Sequence, residues 1–411
     1  MQIAKVSLSY RAVLMTMQKR LNLSAPVGYR TQAIDISVEA DLLDFHLLRQ
    51  RSVTERVAIA ARLINGARAF SLQCLKQQFA NLDAQQFARK IAEAWLQEDC
   101  PSDYVPQGSP MTWIQNSAEL ATQLHSLFER ADIPYYITGG VAAIAYGDPR
   151  TTRDLDVVIQ VPRDRIAQLQ GVLEQSGFYV AGADDVAAGR MKTLQVTQVE
   201  TISRADLMVA EGDFYSQQQF DRRRRFAFPG GTEVYLASPE DVVVSKLRWG
   251  LRSGSEKQQR DVLAIFKVQQ GELDYSYVYR WGAEFGLLEV LQDLTTQAGV
   301  RQVADRQWGI SLYPIAQRAF SLAQRADVTS LSAEGIEQAV GRFYVLSLNQ
   351  RSRAFMIVET VSDRLVAQFD EAGRVVVSQP SLRDRQQWLE IEGRLKVVEQ
   401  QTLQQDEQME M

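Results

Sequence analysis

The sequence predicts an α+β fold, a small mixed sheet with helices, flanked by an N-terminal helical module and a C-terminal module of helices and a β-meander. Three observations predict it. Apolar side chains keep helical spacing through residues 36–98. Helix-like and strand-like runs then alternate from residue 112 to residue 262, which suits a mixed sheet with helices on one side. Beyond residue 350 the apolar period shortens to short strands joined by Ser362-Asp363 and Glu371-Ala372-Gly373.

In order, Val13-Leu14-Met15 and Met17 suit a short helix that Pro26 and Gly28 interrupt. A helix follows from Ile36, carrying Leu42, Leu43, Phe45, Leu47 and Leu48. Ser52-Val53-Thr54-Glu55 is a capping box, and Val57, Ala58, Ala61, Leu63, Ile64 and Ala67 repeat at helical spacing behind it. A third helix is expected over 85–98, with Phe87, Ile91, Ala94 and Trp95 as its buried stripe. Pro101, Pro106, Gly108, Ser109 and Pro110 mark a linker at 101–111. Thr112 is the expected cap of the next helix, with Ile114, Ala118, Ala121, Leu124 and Phe128 on one face. After the central stretch come a helix over 164–175, a short strand at Phe178-Tyr179-Val180, a loop over 181–190, and strands over 193–199 and 205–209. Thr232 to Ala237 is a strand, and Ser238-Pro239 opens a helix with Glu240 and Asp241 in its first turn. Residues 253–310 read as helical, 311–350 as two further helices, and 355–361, 365–369 and 375–377 as strands before a last helix at 384–400. The resulting division is 1–100 helical, 101–111 linker, 112–300 sheet domain with a helical extension, 301–400 accessory region and 401–411 a disordered polar tail.

Composition excludes several function classes. The chain is 45% hydrophobic and 23% charged with a net charge of −5, ordinary for a globular protein and not for a chain that binds nucleic acid over its whole surface. Its two histidines, His46 and His125, leave no His-based triad or His-rich metal site. Its two cysteines, Cys74 and Cys100, give no disulfide framework and suit a reducing compartment. There is no apolar run of ~18 residues to cross a membrane and no continuous apolar signal core, so the expected setting is cytoplasmic.

The chemistry concentrates in residues 135–160. Tyr135-Tyr136-Ile137-Thr138 reads as a strand, Gly139-Gly140 as a turn into a helix of small residues, and Asp154-Leu155-Asp156-Val157-Val158-Ile159 as a second strand. Residues i and i+2 of a strand share a face, so Asp154 and Asp156 point the same way while Leu155 and Val157 enter the core. Two carboxylates side by side repel unless a cation lies between them, and hard oxygen ligands of this kind suit Mg²⁺. Paired glycines at a helix start let backbone N–H groups approach a phosphate, helped by the helix dipole, although Gly-Lys-Ser/Thr of a P-loop is absent.

Strand, Gly-Gly, thirteen residues, then Asp-Leu-Asp on a second strand resembles the nucleotidyltransferase superfamily related to DNA polymerase β. Within it the stretch looks like the small bacterial members, including the AbiEii-type and other toxin-like enzymes, which pair Gly-Gly/Ser with an Arg-x-Thr/Ser element and Asp-Leu-Asp. The resemblance covers roughly residues 112–290 and implies a third acid on a later strand, supplied by Asp206 in Arg204-Ala205-Asp206-Leu207-Met208-Val209. It extends through Ser238-Pro239-Glu240-Asp241, Lys246-Leu247-Arg248-Trp249 and Gln259-Arg260-Asp261-Val262. It implies a two-metal Mg²⁺ site on Asp154, Asp156 and Asp206, with ATP or another nucleoside triphosphate cradled at Gly139 and Gly140. Arg150, Thr152 and Lys246 are the implied phosphate or base contacts, and Arg153 and Asp261 are secondary candidates for the same role, each readable as a structural ion pair instead. Many members carry Gly-Ser, whose hydroxyl touches phosphate. Gly140 stands there in this chain, with Thr138 as the alternative hydroxyl.

The implied reaction moves a nucleoside monophosphate to a hydroxyl acceptor. An RNA end such as that of tRNA, a protein and a small molecule all stay open as acceptors, and a toxin–antitoxin setting is one context. A catalytically silent module for nucleotide sensing or protein interaction is the alternative. Nothing points to DNA, and the oligomeric state is left open. The basic run Arg222-Arg223-Arg224-Arg225 reads either as a solvated turn or as a phosphate contact near the cleft.

Overall fold

A computed structural model describes residues 23–325, 329–332, 335–340, 343–349 and 354–410. The short helix expected around Val13 to Met17 lies outside the described residues. The chain divides into two compact units, residues 1–24 with 32–269 and residues 25–31 with 270–411. The boundary therefore falls at 269/270. The stretch expected as a linker at 101–111 runs inside the first unit, because Tyr104 and Trp113 are core residues there.

The first unit opens with three helices, α1 (Val38–Arg49), α2 (Val53–Gln78) and α3 (Ala84–Leu96). Capping boxes at Ser52/Glu55 and Asp83/Gln86 start the second and third by satisfying the N-terminal N–H groups. A 3₁₀ turn at Gln97–Asp99 closes α3. The next helix, α4 (Ser117–Arg130), is capped by Asn116, whose side chain takes the N–H groups of Ala118 and Glu119. Thr112, expected in that role, bonds within the preceding loop to Ser109 instead.

The sheet then assembles from β1 (Tyr135–Ile137), α5 (Gly139–Tyr146), β2 (Asp154–Ile159), α6 (Ile166–Gln175), β3 (Phe178–Ala181), α7 (Ala183–Ala187), β4 (Thr193–Gln198), β5 (Arg204–Val209), α8 (Phe214–Arg222), β6 (Arg224–Ala227) and β7 (Glu233–Leu236). The short α7 replaces the loop expected over 181–190. Seven strands lie in the order β3-β4-β5-β2-β1-β7-β6. The sheet is mixed: β2 runs parallel to β5 and β1 parallel to β7, and the other neighbours are antiparallel. Along β2 burial alternates strictly, with Leu155, Val157 and Ile159 in the core and Asp154 and Asp156 on the other face. Each of those apolar side chains contributes roughly 1.5–3 kcal/mol by leaving water.

Two helices complete the unit, α9 (Pro239–Ser253) and α10 (Glu256–Gln269). Ser238 caps α9 through its hydroxyl and Gly254 closes it with φ +65°. The N-terminal helices are tied to this frame by buried cations. Arg56 of α2 donates to Ala145 O at the end of α5, and to Leu48 O and Arg51 O. Lys267 of α10 pairs with Asp41 of α1 at 2.6 Å, both fully buried.

The second unit has α11 (Tyr275–Glu284), α12 (Leu288–Gln297) and α13 (Arg301–Arg325) before an antiparallel sheet. Its six strands are β8 (Thr329–Ser332), β9 (Gly335–Val340), β10 (Tyr344–Asn349), β11 (Phe355–Glu359), β12 (Arg364–Phe369) and β13 (Val375–Ser378), paired in sequence order as a meander. Two helices were expected over 311–350. Among the described residues of that stretch α13 is the one helix, and β8, β9 and β10 are strands, with Tyr344 and Leu346 alternating into the core at the strand period. A last helix, α14 (Leu382–Glu410), runs through the tail expected to be disordered. Among the described residues no helix is long and apolar enough to cross a membrane.

Candidate active site

The site is built where β1 hands the chain to α5 beside β2 and β5. The N–H of Thr138 bonds Asp156 O at 2.9 Å, which sets the end of β1 against β2. Gly139 follows with φ +59°, and a Cβ there would fall 1.8 Å from Asp156 Oδ2. No side chain fits, so the first turn of α5 lies directly on the carboxylate. The N–H of Gly140 donates to Asp156 Oδ2 at 3.3 Å. A Cβ on Gly140 would come within 2.5 Å of Thr152 Oγ1. The hydroxyl beside Gly140 is thus that of Thr152, where Thr138 was the expected substitute.

Asp206 stands on β5 as the register partner of Asp156, and Arg204 as that of Asp154. Paired strands lie about 4.8 Å apart, so the sheet brings the three acids to one face. Burial pushes both Asp154 and Asp206 above the usual carboxylate range, with the neighbouring acids adding to it and Arg204 opposing. Arg204 is 6% exposed and engages both Asp206 oxygens, Nη2 at 2.8 and 3.1 Å and Nε at 3.2 Å from Oδ1. Its other arm pairs with Asp99 in the turn after α3. Burial works against this guanidinium's charge, yet its acidic partners hold it above its ordinary pKa.

The remaining predicted contacts form a second cluster. Asp261 of α10 accepts Arg150 at 2.8 and 2.6 Å and Lys246 Nζ at 2.8 Å. Burial alone would raise Asp261, but Arg150 and Lys246 outweigh it and hold the carboxyl below its usual range. Lys246 is therefore buried in an ion pair, with Gln258 as a further partner at 3.0 Å. Arg153 donates to Gln97, a non-glycine residue held at φ +55°.

A cavity of about 430 Å³ opens beside Asp154, between the N-terminal helices and this cluster. Thr152, Arg153 and Arg204 line one wall, and Arg68, Trp95 and Gln97 the other, with Lys257 at its mouth. Arg68 is half-buried, donates to the carbonyls of Trp113 and Gln115, and sits 5.0 Å over the Trp95 ring. Burial lowers it to about 10. The Lys257 ammonium is pushed down first by desolvation and then by Arg150, Lys246 and Arg153. That excess of cations around one wall is what an anion would relieve.

The structure thus brings Asp154, Asp156, Asp206, Gly139, Gly140 and Thr152 together, with Arg150 and Lys246 paired to Asp261 behind Arg153. Arg222 to Arg225 do not join them. Arg224 and Arg225 lie on β6, the edge strand, with β7 and β1 between it and β2. Arg222 pairs with Glu240, Arg225 with Glu233, and Arg223 lies 4.9 Å over the Tyr235 ring. The run is part of the sheet edge rather than a turn at the cleft. Sequence reasoning missed Arg204, Lys257, Arg68 and Trp95. Arg204 had a signal, since it sits two residues before Asp206 on a strand. The other three reach the site only through packing between distant segments.

No protein-family model matches the chain, and no curated protein matches it. Three solved structures that it resembles are nucleotidyltransferases or are named as like them. An antigenic nucleotidyltransferase-like protein from Paracoccidioides brasiliensis is 22% identical, over 45% of this chain and 92% of that one, at a TM-score of 0.31. The antibiotic-resistance factor ANT(2″)-Ia, in complex with adenylyl-2″-tobramycin, is 16% identical over 41% and 97%, at a TM-score of 0.31. The lincosamide antibiotic adenylyltransferase LnuA is 14% identical over 35% and 93%, at a TM-score of 0.27.

Proposed function

We propose that the first unit is a Mg²⁺-dependent nucleotidyltransferase, moving a nucleoside monophosphate from a nucleoside triphosphate to a hydroxyl acceptor. The observation that carries this reading is the register of Asp156 with Asp206, beside Asp154 on one sheet face and under the N-terminus of α5. The donor set fits the ion. It consists of hard carboxylate oxygens whose repulsion and burial raise Asp154 and Asp206 as long as nothing compensates them. Asp154 and Asp156 would hold Mg²⁺, with Asp206 facing them from β5. When bound, the ion supplies charge stabilisation at the entering and leaving oxygens of an in-line displacement.

The chain's own residues supply the rest. Lys257 and Arg153 offer positive charge to the triphosphate at the cavity, with the Arg150–Asp261 pair nearby, and Thr152 offers a hydroxyl at the start of α5. Asp206 takes the proton of the acceptor hydroxyl as its oxygen attacks the α-phosphorus. The bond to the β-phosphate breaks, and pyrophosphate leaves. The cavity wall is basic, so it suits the polyphosphate better than a polycationic acceptor. The toxin-like, AbiEii-type subgroup and a toxin–antitoxin context are the finer reading of the motif Gly139-Gly140 to Asp156. Support for an RNA acceptor from Arg222 to Arg225 falls away with their place on the sheet edge. The silent, nucleotide-sensing alternative has one observation on its side, the engagement of both Asp206 oxygens by Arg204.

One experiment separates these readings. The protein is incubated with α-labelled nucleoside triphosphates, Mg²⁺ and total cell RNA, protein or small-molecule extract. Label transfer by the wild type, lost in Asp154→Asn and Asp156→Asn, is the expected result. Removal of one group that stabilises developing charge costs about 10²–10³ in rate. Wild-type rates in either variant would sink the assignment. Nucleotide binding without any transfer would leave the sensing module.

A further inference from the structure

We infer that Arg204 is a fixed cation in the acid cluster, so that the site holds a single divalent ion, on Asp154 and Asp156, rather than two. The inference rests on the nucleotidyl-transfer reading and concerns how that site is charged.

The geometry is specific. Arg204 and Asp206 are two residues apart on β5, on one face, and the guanidinium meets both carboxylate oxygens at 2.8 and 3.1 Å. A planar fork on two oxygens takes one edge of the carboxylate and sets a fixed positive charge against any metal that approaches Asp206. The side chain is 6% exposed and cannot leave for solvent without losing Asp99, its second anchor. Its Cα is the register partner of Asp154, so its charge also lies beside the first acid of the pair. Asp99 itself sits in a 3₁₀ turn that begins at Gln97, held at φ +55° and bonded to Arg153. The turn therefore fixes two arginines of the site from outside the sheet.

Charge counting agrees. Asp154 and Asp156 balance one divalent ion. Asp206 and Asp99 share the single charge of Arg204, which leaves one net negative charge there, short of the two that would balance a second divalent ion. A second divalent ion at Asp206 would lie against a guanidinium that has nowhere dry to go, and like charges at such distances in a buried site repel strongly. Arg204 would thus do at Asp206 part of what a second ion does, neutralising it and fixing its orientation toward the acceptor.

The test counts ions. Equilibrium dialysis with Mn²⁺, alone and with an equimolar non-hydrolysable triphosphate analogue, is expected to give one tightly bound Mn²⁺ per wild-type chain. Arg204→Met frees Asp206 and is expected to bind two in the presence of the analogue, while Arg204→Lys, which keeps the charge, is expected to bind one. Two tight ions in the wild type would overturn the inference while leaving nucleotidyl transfer in place. One ion in a folded Arg204→Met would also overturn it. Should neither variant fold, the wild-type count decides alone. A wild type that binds neither Mn²⁺ nor the analogue would remove the proposed function, and this inference with it.

Discussion

At the scale of single residues, the site is shaped by what two glycines leave out. Gly139 combines φ +59° with a missing Cβ that would overlap the Asp156 carboxylate, so two separate reasons exclude any other residue. Gly140 is excluded by one neighbour only, the Thr152 hydroxyl. The difference makes a prediction. Gly140→Ser puts a Cβ 2.5 Å from Thr152 Oγ1, and overpacking of this kind costs typically about 1–3 kcal/mol. Thr152→Ala removes the obstructing hydroxyl, so the double variant should recover most of the loss. Thermal melts of the four forms measure the coupling, expected at about 0.5–3 kcal/mol for groups that share one space. Strictly additive losses would mean that the two positions do not compete. Serine at 140 and threonine at 152 are then alternative ways of placing a hydroxyl at the start of α5, and this chain uses the second.

At the scale of elements, α1, the turn after α5 and α10 meet around a cluster of acids with only part of its charge compensated. Asp41 is paired with Lys267 and Asp261 with Arg150 and Lys246. Asp148, in the turn, is pushed up to about 6, first by desolvation and then by Asp44, Asp41 and Asp261 against Arg150. The folded chain therefore keeps a proton on Asp148 between its ordinary value near 3.8 and about 6, where the unfolded chain has lost it. Stability falls as pH rises through that window, and the cost is complete above it. Asp148→Asn should raise the melting temperature at pH 7, with the advantage shrinking to nothing as pH approaches 4. A variant equal to wild type at pH 7 would show that Asp148 is solvated in the folded chain. These contacts also mark what the sequence could and could not say. Asp154 and Asp156 were legible because i, i+2 spacing on a strand is a local rule. Helices α1, α2 and α3 were legible from periodicity and caps. Their place beside the site was not, since it depends on Arg56, Arg68 and Lys267 reaching residues far along the chain. The arginine run 222–225 was misplaced for the same reason: composition does not reveal that β6 pairs with β7 at the sheet edge.

At the scale of the whole molecule, every residue assigned to the site, from Arg68 to Asp261, falls within 32–269. That unit contains the whole seven-stranded sheet and its own cores, such as the cluster of Leu72, Ile91, Leu96, Tyr104, Trp113 and Ile202. The second unit has a separate core, in which Trp308, Leu312, Phe320, Tyr344, Leu346, Phe369 and Trp388 join α13 and α14 to the meander. A domain with its own core and complete sheet is the size that folds independently. A fragment ending at residue 269 should therefore melt cooperatively and bind Mn²⁺ and a triphosphate analogue with affinities within about threefold of the full chain, a difference of roughly 0.6 kcal/mol. Dialysis with Mn²⁺ and a fluorescent analogue titration measure this, with circular dichroism to check folding. A folded fragment that binds neither ligand, beside a full chain that binds both, would place part of the binding machinery in residues 270–411. If the fragment binds but no longer transfers label, the second unit is engaged with the acceptor, since the metal and triphosphate groups lie wholly in the first.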